Sequence, residues 1–162
     1  MRVLQVHNRY RLRGGEDAVV DATMALLAER DVEARLFTRD SEGMHGLAAK
    51  IGSVSSAVYS RESARAISAE IKAFRPDVVH VHNVFPLISP AVFEACAVAG
   101  VPAVMTVHNY RLTCPIGVHF VHGALCTRCL GGHEEQCALN NCRGARFELS
   151  LIHISEPTRP ER

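Results

Sequence analysis

Short apolar runs that alternate with helical patterns constrain the fold of this chain more than any other feature of its sequence. Four runs read as strands: Arg2–His7, Val32–Phe37, Asp77–His82 and Val101–His108. Three helical stretches separate them: Glu16–Arg30, Glu62–Phe74 and Pro90–Ala99. Parallel strands need a crossover of about a dozen residues, which a helix supplies. The alternation therefore predicts an α/β fold, a doubly wound parallel sheet with helices on both faces.

Local signals predict where these helices begin and end. Glu16 and Asp17 fall in the first turn of the first helix, where negative charge suits the helix dipole. Ser89 precedes a proline and predicts an N-cap, and Gly100 predicts the residue that terminates the third helix. Residues 41–60 are rich in Gly, Ser and Ala without a firm period, so we predict a loop with some helix there.

Composition narrows the class of protein. The chain has 162 residues, enough for one domain with a full hydrophobic core. Its 18 basic and 17 acidic residues leave a formal charge of +1, so we expect no nucleic-acid partner, which would favour a basic surface. No apolar run approaches the roughly 20 residues that cross a bilayer, and the start is too short and charged for a signal peptide. We expect a cytoplasmic protein, with peripheral contact at the inner membrane face left open.

Polar residues follow three of the predicted strands at the point where each strand ends. They are Gly14, Gly15 and Glu16 after the first strand, His82 and Asn83 after the third, and His108 and Asn109 after the fourth. The carboxyl ends of parallel strands meet at one edge of a sheet, where ligands of open α/β sheets bind. We therefore expect these residues to form one site.

The glycine pair and the histidines each allow a plainer interpretation. Gly14 and Gly15 can adopt positive φ and let a diphosphate approach the N–H groups of the following helix, but such a pair is often only a tight turn. The segment lacks the G-x-G-x-x-G pattern of dinucleotide-binding proteins. His80 shares a strand face with His82 and is more typical of a core residue. His108 ends a strand at the ligand edge, where a neutral imidazole can bond a ligand hydroxyl.

Five of the six cysteines crowd into one polar segment, residues 114–142. Cys126 and Cys129 form a C-x₂-C pair, with Cys114 before it and Cys142 after it. In a reducing cytosol such a cluster suggests metal ligation or unligated thiols before disulfides. Because tetrahedral Zn²⁺ takes four such ligands, these four cysteines are candidate ligands of a structural zinc. Unligated thiols and a redox-sensitive loop are the alternatives.

Several motifs, in this order and at these separations, resemble one known family. They are Gly14-Gly15-Glu16, PDVVHVHN at 76–83, FPLISP at 85–90 and TVHNYRLTCP at 106–115. Together they resemble the N-terminal domain of family-four glycosyltransferases, over residues 1–148. The resemblance implies half of a GT-B fold, in which two Rossmann-like domains face each other across the active site.

The same resemblance implies a reaction and roles for residues. Such enzymes transfer a sugar, commonly a hexose and often in polysaccharide biosynthesis, from a nucleotide-diphosphate donor to a saccharide or lipid-linked acceptor. They retain the anomeric configuration and require no cofactor for catalysis. By resemblance, Gly14 and Gly15 approach the donor diphosphate and the acceptor, His108 lines the cleft near the reacting sugar, and His82 and Asn83 line the acceptor side.

The last residues call for a separate interpretation. Leu149–Arg159 (LSLIHISEPTR) resembles the translation of a transposase-type sequencing adaptor, so we predict a non-native tail at 149–162 and a domain at 1–148. An ordinary strand with a proline-rich tail is the alternative. The resemblance also implies a donor-binding domain that is missing, so we expect a truncated fragment without transferase activity by itself.

Two other classes of protein remain open on the sequence alone. A non-enzymatic, Zn-stabilised α/β binding module would use the cysteine segment as a partner surface. A different doubly wound enzyme, such as a nucleotide-sugar epimerase or dehydrogenase, would need the glycine fingerprint that this chain lacks.

Overall fold

The computed structural model of the chain describes residues 1–9, 14–40, 61–84 and 87–142. The chain divides into two compact units, Met1–His108 and Asn109–Arg162. The predicted loop at residues 41–60 and the predicted tail at 149–162 lie outside the described residues.

Four strands form the sheet of the first unit: β1 (Arg2–Arg9), β2 (Glu33–Asp40), β3 (Val78–Asn83) and β4 (Ala103–Met105). Their order is β2-β1-β3-β4, and each neighbouring pair is parallel. Together with the helices that connect them, these strands confirm the predicted α/β, Rossmann-like fold.

The last strand, β4, is shorter than the predicted strand Val101–His108. The N–H of Val101 bonds the carbonyl of Cys96 at 3.0 Å and closes the end of the preceding helix. Pro102 follows and has no N–H to donate to a neighbouring strand. β4 also ends three residues before His108, so this histidine lies in the segment after the strand.

The helices of the first unit are α1 (Gly15–Glu29), α2 (Arg61–Phe74) and α3 (Ala91–Ala99), close to the predicted stretches. The predicted C-terminal end of α3 is confirmed, whereas Pro90 and not the predicted Ser89 occupies its N-cap position. Oγ of Ser89 accepts the N–H of Ala91, the first residue of the helix, at 3.3 Å. Gly100 ends the helix in the left-handed conformation, with φ of 67°.

The two faces of the sheet differ in polarity. On one face, apolar residues of β1 and β3 pack against α2 and α3 in a core that includes Leu4, Val6, Ile67, Ile71, Phe74, Val79, Val81 and Val92. Successive strand residues point to opposite faces, so Gln5, His7, His80 and His82 lie on the other face. α1 covers that face, because Asp17 in its first turn bonds His7.

The second unit is built around a short hairpin of β5 (Phe120–Val121) and β6 (Ala124–Leu125). His122 and Gly123 connect the two strands with φ values of 51° and 80°, as a two-residue type I′ turn requires. A short helix, α4 (Glu135–Leu139), follows. Cys129 and Cys137 are buried here.

A histidine-lined candidate active site

The strand order reverses direction between β1 and β3. From β1 the chain crosses to β2 on one side, and from β3 it crosses to β4 on the other. Ligands of open α/β sheets bind in the crevice that such a reversal leaves at the carboxyl ends of the strands. The candidate active site therefore lies among the polar side chains of this edge: Gln5, His7, His80, His82, Asn83 and His108.

His82 is the centre of a hydrogen-bonded chain. Its side chain is buried, 2% exposed. Nε2 of His82 lies 2.6 Å from Oε1 of Gln5, and Nδ1 lies 3.0 Å from Nε2 of His108. The rings of His82 and His108 lie within 20° of parallel, which suits a bond close to the plane of both rings. These two hydrogen bonds thus link β1, β3 and the segment after β4.

Burial keeps His82 neutral. Desolvation lowers the pKa of His82 from 6.5 to about 4, with further lowering by the imidazoles of His80, His108 and His7. A neutral imidazole has one donor nitrogen and one acceptor nitrogen. The carbonyl oxygen of Gln5 only accepts, so Nε2 of His82 donates to it. Nδ1 of His82 then accepts the N–H of Nε2 of His108.

His80 supports the segment that carries His108. Its ring lies beside that of His82, with centroids 4.1 Å apart, and its Nε2 lies 2.7 Å from Oγ1 of Thr106. Burial lowers the pKa of His80, and the neighbouring His108 lowers it further. His80 is half-buried, and its bond to Thr106 joins β3 to the residues that follow β4.

A second network links β1 and β3 to the start of α1. Nε2 of His7 lies 3.1 Å from Oδ1 of Asp17, and Oδ2 of Asp17 accepts the N–H of Gly14 at 2.9 Å. Oε2 of Glu16 accepts from Nδ2 of Asn83 at 3.1 Å. Two carboxylates therefore stand at the helix N-terminus, where we expected N–H groups to receive a diphosphate. An anion approaching this turn would meet negative charge.

The glycine pair does not use the positive φ that glycine can adopt. Gly14 is extended, with φ of −124°, and Gly15 is the first residue of α1 and is not among the described glycines with positive φ. A Cβ at either position would meet no atom of the described residues within 4 Å. Neither conformation nor packing among these residues therefore requires glycine. The missing side chains leave open space beside the backbone.

The structure brings together most of the residues that the sequence predicted for the site. Gly14, Glu16, His82, Asn83 and His108 all belong to the two hydrogen-bonded networks. Asn109 lies in the second unit, where its Oδ1 accepts the N–H of Arg111 at 3.0 Å.

Sequence reasoning missed Gln5, His7 and Asp17. A signal was present for the first two, because Gln5 and His7 alternate with apolar residues in the same way as His80 and His82. Two such strands side by side predict one polar sheet face. Asp17 was assigned only to the helix dipole, and its bond to His7 depends on how α1 packs on the sheet.

The thiols of the cysteine segment are neighbours, and all six cysteines of the chain are free. Burial, and then the thiols of Cys114, Cys126 and Cys142, raise the pKa of Cys129 to about 11. Burial and a hydrogen bond with Cys142 raise the pKa of Cys137 to about 12. Among the described residues, no three His, Cys, Asp or Glu side chains are arranged to hold a metal ion. The predicted zinc ligands therefore lie close together but do not form a ready-made site.

A comparison with family profiles decides the class of protein. The profile of Glycosyltransferase Family 4 matches residues 13–126, which is more than half of the chain. The chain belongs to glycosyltransferase family 4. The match confirms a family 4-like N-terminal domain over residues 13–126, and it spans Gly14, His82, Asn83 and His108. Searches of curated proteins and of solved structures found no match.

Membership of glycosyltransferase family 4 supports a glycosyltransferase-like function in general terms, with a sugar donor and an acceptor as partners. The polar edge of the sheet therefore belongs to a protein of a glycosyltransferase family. No helix in the described part of the chain is long and apolar enough to cross a bilayer.

Proposed function

We propose that this chain is the acceptor-side half of a GT-B glycosyltransferase. The enzyme would transfer a sugar, with retention of configuration, from a nucleotide-diphosphate donor to a saccharide or lipid-linked acceptor. The observation that carries the proposal is the His82–His108 pair, bonded at 3.0 Å at the carboxyl edge of the sheet in a chain of family 4.

Neutral polar groups at this edge suit a saccharide better than a charged ligand. A sugar hydroxyl both donates and accepts hydrogen bonds, and a neutral imidazole or an amide offers a matching partner. His82, uncharged at pH 7 because its pKa is about 4, has both ring nitrogens bonded within the protein, so the partly buried His108 is the imidazole that can meet a sugar hydroxyl. Asn83 adds an amide on the same strand as His82. The open space at Gly14 and Gly15 leaves room for an acceptor to approach the backbone.

The start of α1 is not suited to stabilise the departing diphosphate. Sugar transfer leaves negative charge on this group, and fixed N–H dipoles or cations stabilise that charge. The carboxylates of Glu16 and Asp17 in the first turn of α1 are instead negatively charged. We therefore assign donor binding to a second Rossmann-like domain, with no catalytic metal. The 162-residue chain by itself should bind an acceptor but not transfer sugar.

Histidine NMR of the chain tests the proposal with defined probes. Methyl glucoside, galactoside and mannoside serve as acceptor probes, and UDP-glucose and GDP-mannose as donor probes. At least one glycoside should shift the imidazole resonances of His82 and His108 with roughly millimolar affinity, as expected for a small ligand with few contacts. His108→Ala should abolish the shift at His82, whereas His133→Ala, at an exposed histidine, should leave it unchanged.

Two results would contradict the proposal. One is that no glycoside shifts these resonances at concentrations up to the solubility of the probe. The other is that the chain by itself releases nucleoside diphosphate and transfers sugar, measured with either donor and the glycosides together. The first would remove the acceptor role, and the second would remove the assignment of donor binding to another domain.

We also propose that the cysteine segment takes up one structural Zn²⁺ at Cys114, Cys126, Cys129 and Cys142. The shared electrostatic influence of these thiols on Cys129 supports it. The side chains would have to turn toward a common point, since the described residues hold no ready-made site. Metal analysis of the purified chain should find about one zinc, which Cys126→Ser should remove. Absence of zinc in the unaltered chain, after addition of a stoichiometric amount, would contradict this.

A further inference from the structure

The hydrogen bonds of His82 have a consequence for the nitrogen that His108 offers to a ligand. Nε2 of His82 is 2.6 Å from the carbonyl oxygen of Gln5, which is an acceptor. The proton of neutral His82 therefore resides on Nε2, and its Nδ1 has a lone pair. Nε2 of His108, 3.0 Å from that lone pair, must carry a proton to form the bond. In neutral His108 the remaining nitrogen, Nδ1, is then an acceptor.

We propose that Gln5, acting through His82, holds His108 in its Nε2–H tautomer and thereby presents Nδ1 of His108 as the hydrogen-bond acceptor for a substrate hydroxyl. Gln5 is a positioning residue in this arrangement, since it acts through His82. The identity of the hydroxyl as that of a sugar acceptor rests on the proposed function, whereas the tautomer does not.

The proposal depends on the orientation of the Gln5 amide. Oε1 of Gln5 faces Nε2 of His82 at 2.6 Å, while the amide nitrogen of Gln5 is buried with no hydrogen-bond partner among the described residues. The proton order of His82 and His108 therefore follows from the oxygen, and not the nitrogen, of this amide lying against His82.

The burial of Gln5 explains why its amide can impose this order. Gln5 is 0% exposed and His82 is 2% exposed, so water does not compete for the bond between them. A buried polar group left without a partner destabilises the fold. With the amide oxygen of Gln5 against His82, a shift of the His82 proton to Nδ1 would leave that oxygen without a donor and is therefore disfavoured. The buried Gln5 thereby determines which ring nitrogen of His108 carries a proton, although His108 itself is only partly buried.

Long-range ¹H–¹⁵N correlation spectra of the chain, labelled with ¹⁵N-histidine at pH 7.5, test the proposal directly. They distinguish protonated from unprotonated ring nitrogens, with no need for a substrate. We expect the proton on Nε2 in both His82 and His108. His119 is an internal reference of the opposite kind, because its Nδ1 donates to the carbonyl of Cys126 at 2.9 Å. A proton on Nδ1 of His108 would overturn the proposal.

Two substitutions of Gln5 separate positioning from a merely structural role. Gln5→Leu removes the acceptor, so His82 and His108 should become mixtures of tautomers, while an unchanged far-ultraviolet circular dichroism signal of α1, α2 and α3 shows that the first unit is folded. Gln5→Met, which has a side chain of similar length and no strong acceptor, should give the same mixture. An unchanged His108 tautomer in Gln5→Leu would refute the role of Gln5. If that variant does not fold, an unchanged tautomer in Gln5→Met would refute it equally.

The ligand half of the proposal has its own measurement. If a methyl glycoside binds, the ¹⁵N shift of Nδ1 of His108 should move in the direction of hydrogen-bond acceptance, and Gln5→Leu should weaken the binding about tenfold, the effect of losing one hydrogen bond. Binding that leaves Nδ1 unmoved would refute the acceptor role. If no glycoside binds, the proposed function fails, and the tautomer result still stands or falls by the spectra above.

Discussion

Acid should destabilise the first unit through His82 before most carboxylates are protonated. The pKa of His82 is about 4 in the folded chain, chiefly because the side chain is buried, against 6.5 in the unfolded chain. Between these two values the unfolded chain binds a proton that the folded chain does not. The free energy of unfolding therefore stays constant above pH 6.5, falls as the pH decreases from 6.5 to 4, and levels off below.

The size of the effect follows from the same two values. A pKa lowered from 6.5 to about 4 corresponds to about 3 kcal/mol of free energy of unfolding, with a slope of at most about 1.4 kcal/mol per pH unit. The side chain is 2% exposed, so solvent screening reduces this only slightly. The lowered pKa of His80 adds to the slope in the same direction.

Urea unfolding at pH 7.5, 6.5, 5.5 and 5.0, followed by far-ultraviolet circular dichroism, measures this slope. The signal comes mainly from the first unit, which contains α1, α2 and α3. His82→Gln should lose most of the dependence between pH 6.5 and 5.0, whereas His133→Gln, whose side chain is 65% exposed, should keep it. An equal slope in His82→Gln and the unaltered chain would refute the reasoning.

Three further predictions concern packing, the glycine pair and the thiols. Ile67→Ala should lower the free energy of unfolding by about 2–5 kcal/mol because Ile67 is 0% exposed, while Val98→Ala, 84% exposed, should change it by less than about 0.5 kcal/mol. Gly15→Ala should leave stability equal or up to about 1 kcal/mol higher but weaken glycoside binding in NMR titration; a clear loss of stability would contradict the open space there. With iodoacetamide at pH 8, after removal of any zinc with a chelator, mass spectrometry should find Cys126 alkylated before Cys137, whose thiol is buried with a pKa of about 12; equal rates would contradict this.

The parts of the fold that depend on local patterns could be predicted from the sequence. The run Asp77–His82 predicted β3 because a central parallel strand is buried on both faces and reads as a nearly continuous apolar run. Gly100 predicted the end of α3 because glycine adopts the left-handed conformation at low cost. In both cases the sequence pattern that identifies the element lies within a few residues along the chain.

The parts that depend on contacts between distant residues could not. The length of β4 was overestimated because its start is set by the N–H of Val101, which closes α3 instead of joining the sheet. The role of Asp17 was missed because its partner, His7, lies on another element. Gly14 does not use the positive φ that glycine permits, because the N-cap of α1 is extended. The parallel topology alone predicted that His82 and His108 would lie close together. The positions of the protons on their rings depend on Gln5, which the sequence did not single out.

One proton connects the stability of the first unit to its candidate site. Nδ1 of His82 is the atom that accepts from His108, and it is also the nitrogen that becomes protonated in acid, since Nε2 already carries a proton for Gln5. Protonation would therefore break the bond that orders His108. Valine or leucine in place of Gln5 or His82 could be buried equally well, as Val79 and Val81 are on the other face of β3. The hydrogen-bonded series Gln5–His82–His108 makes the fold sensitive to acid. Such a cost to stability is expected where residues serve a binding site and not the packing of the core.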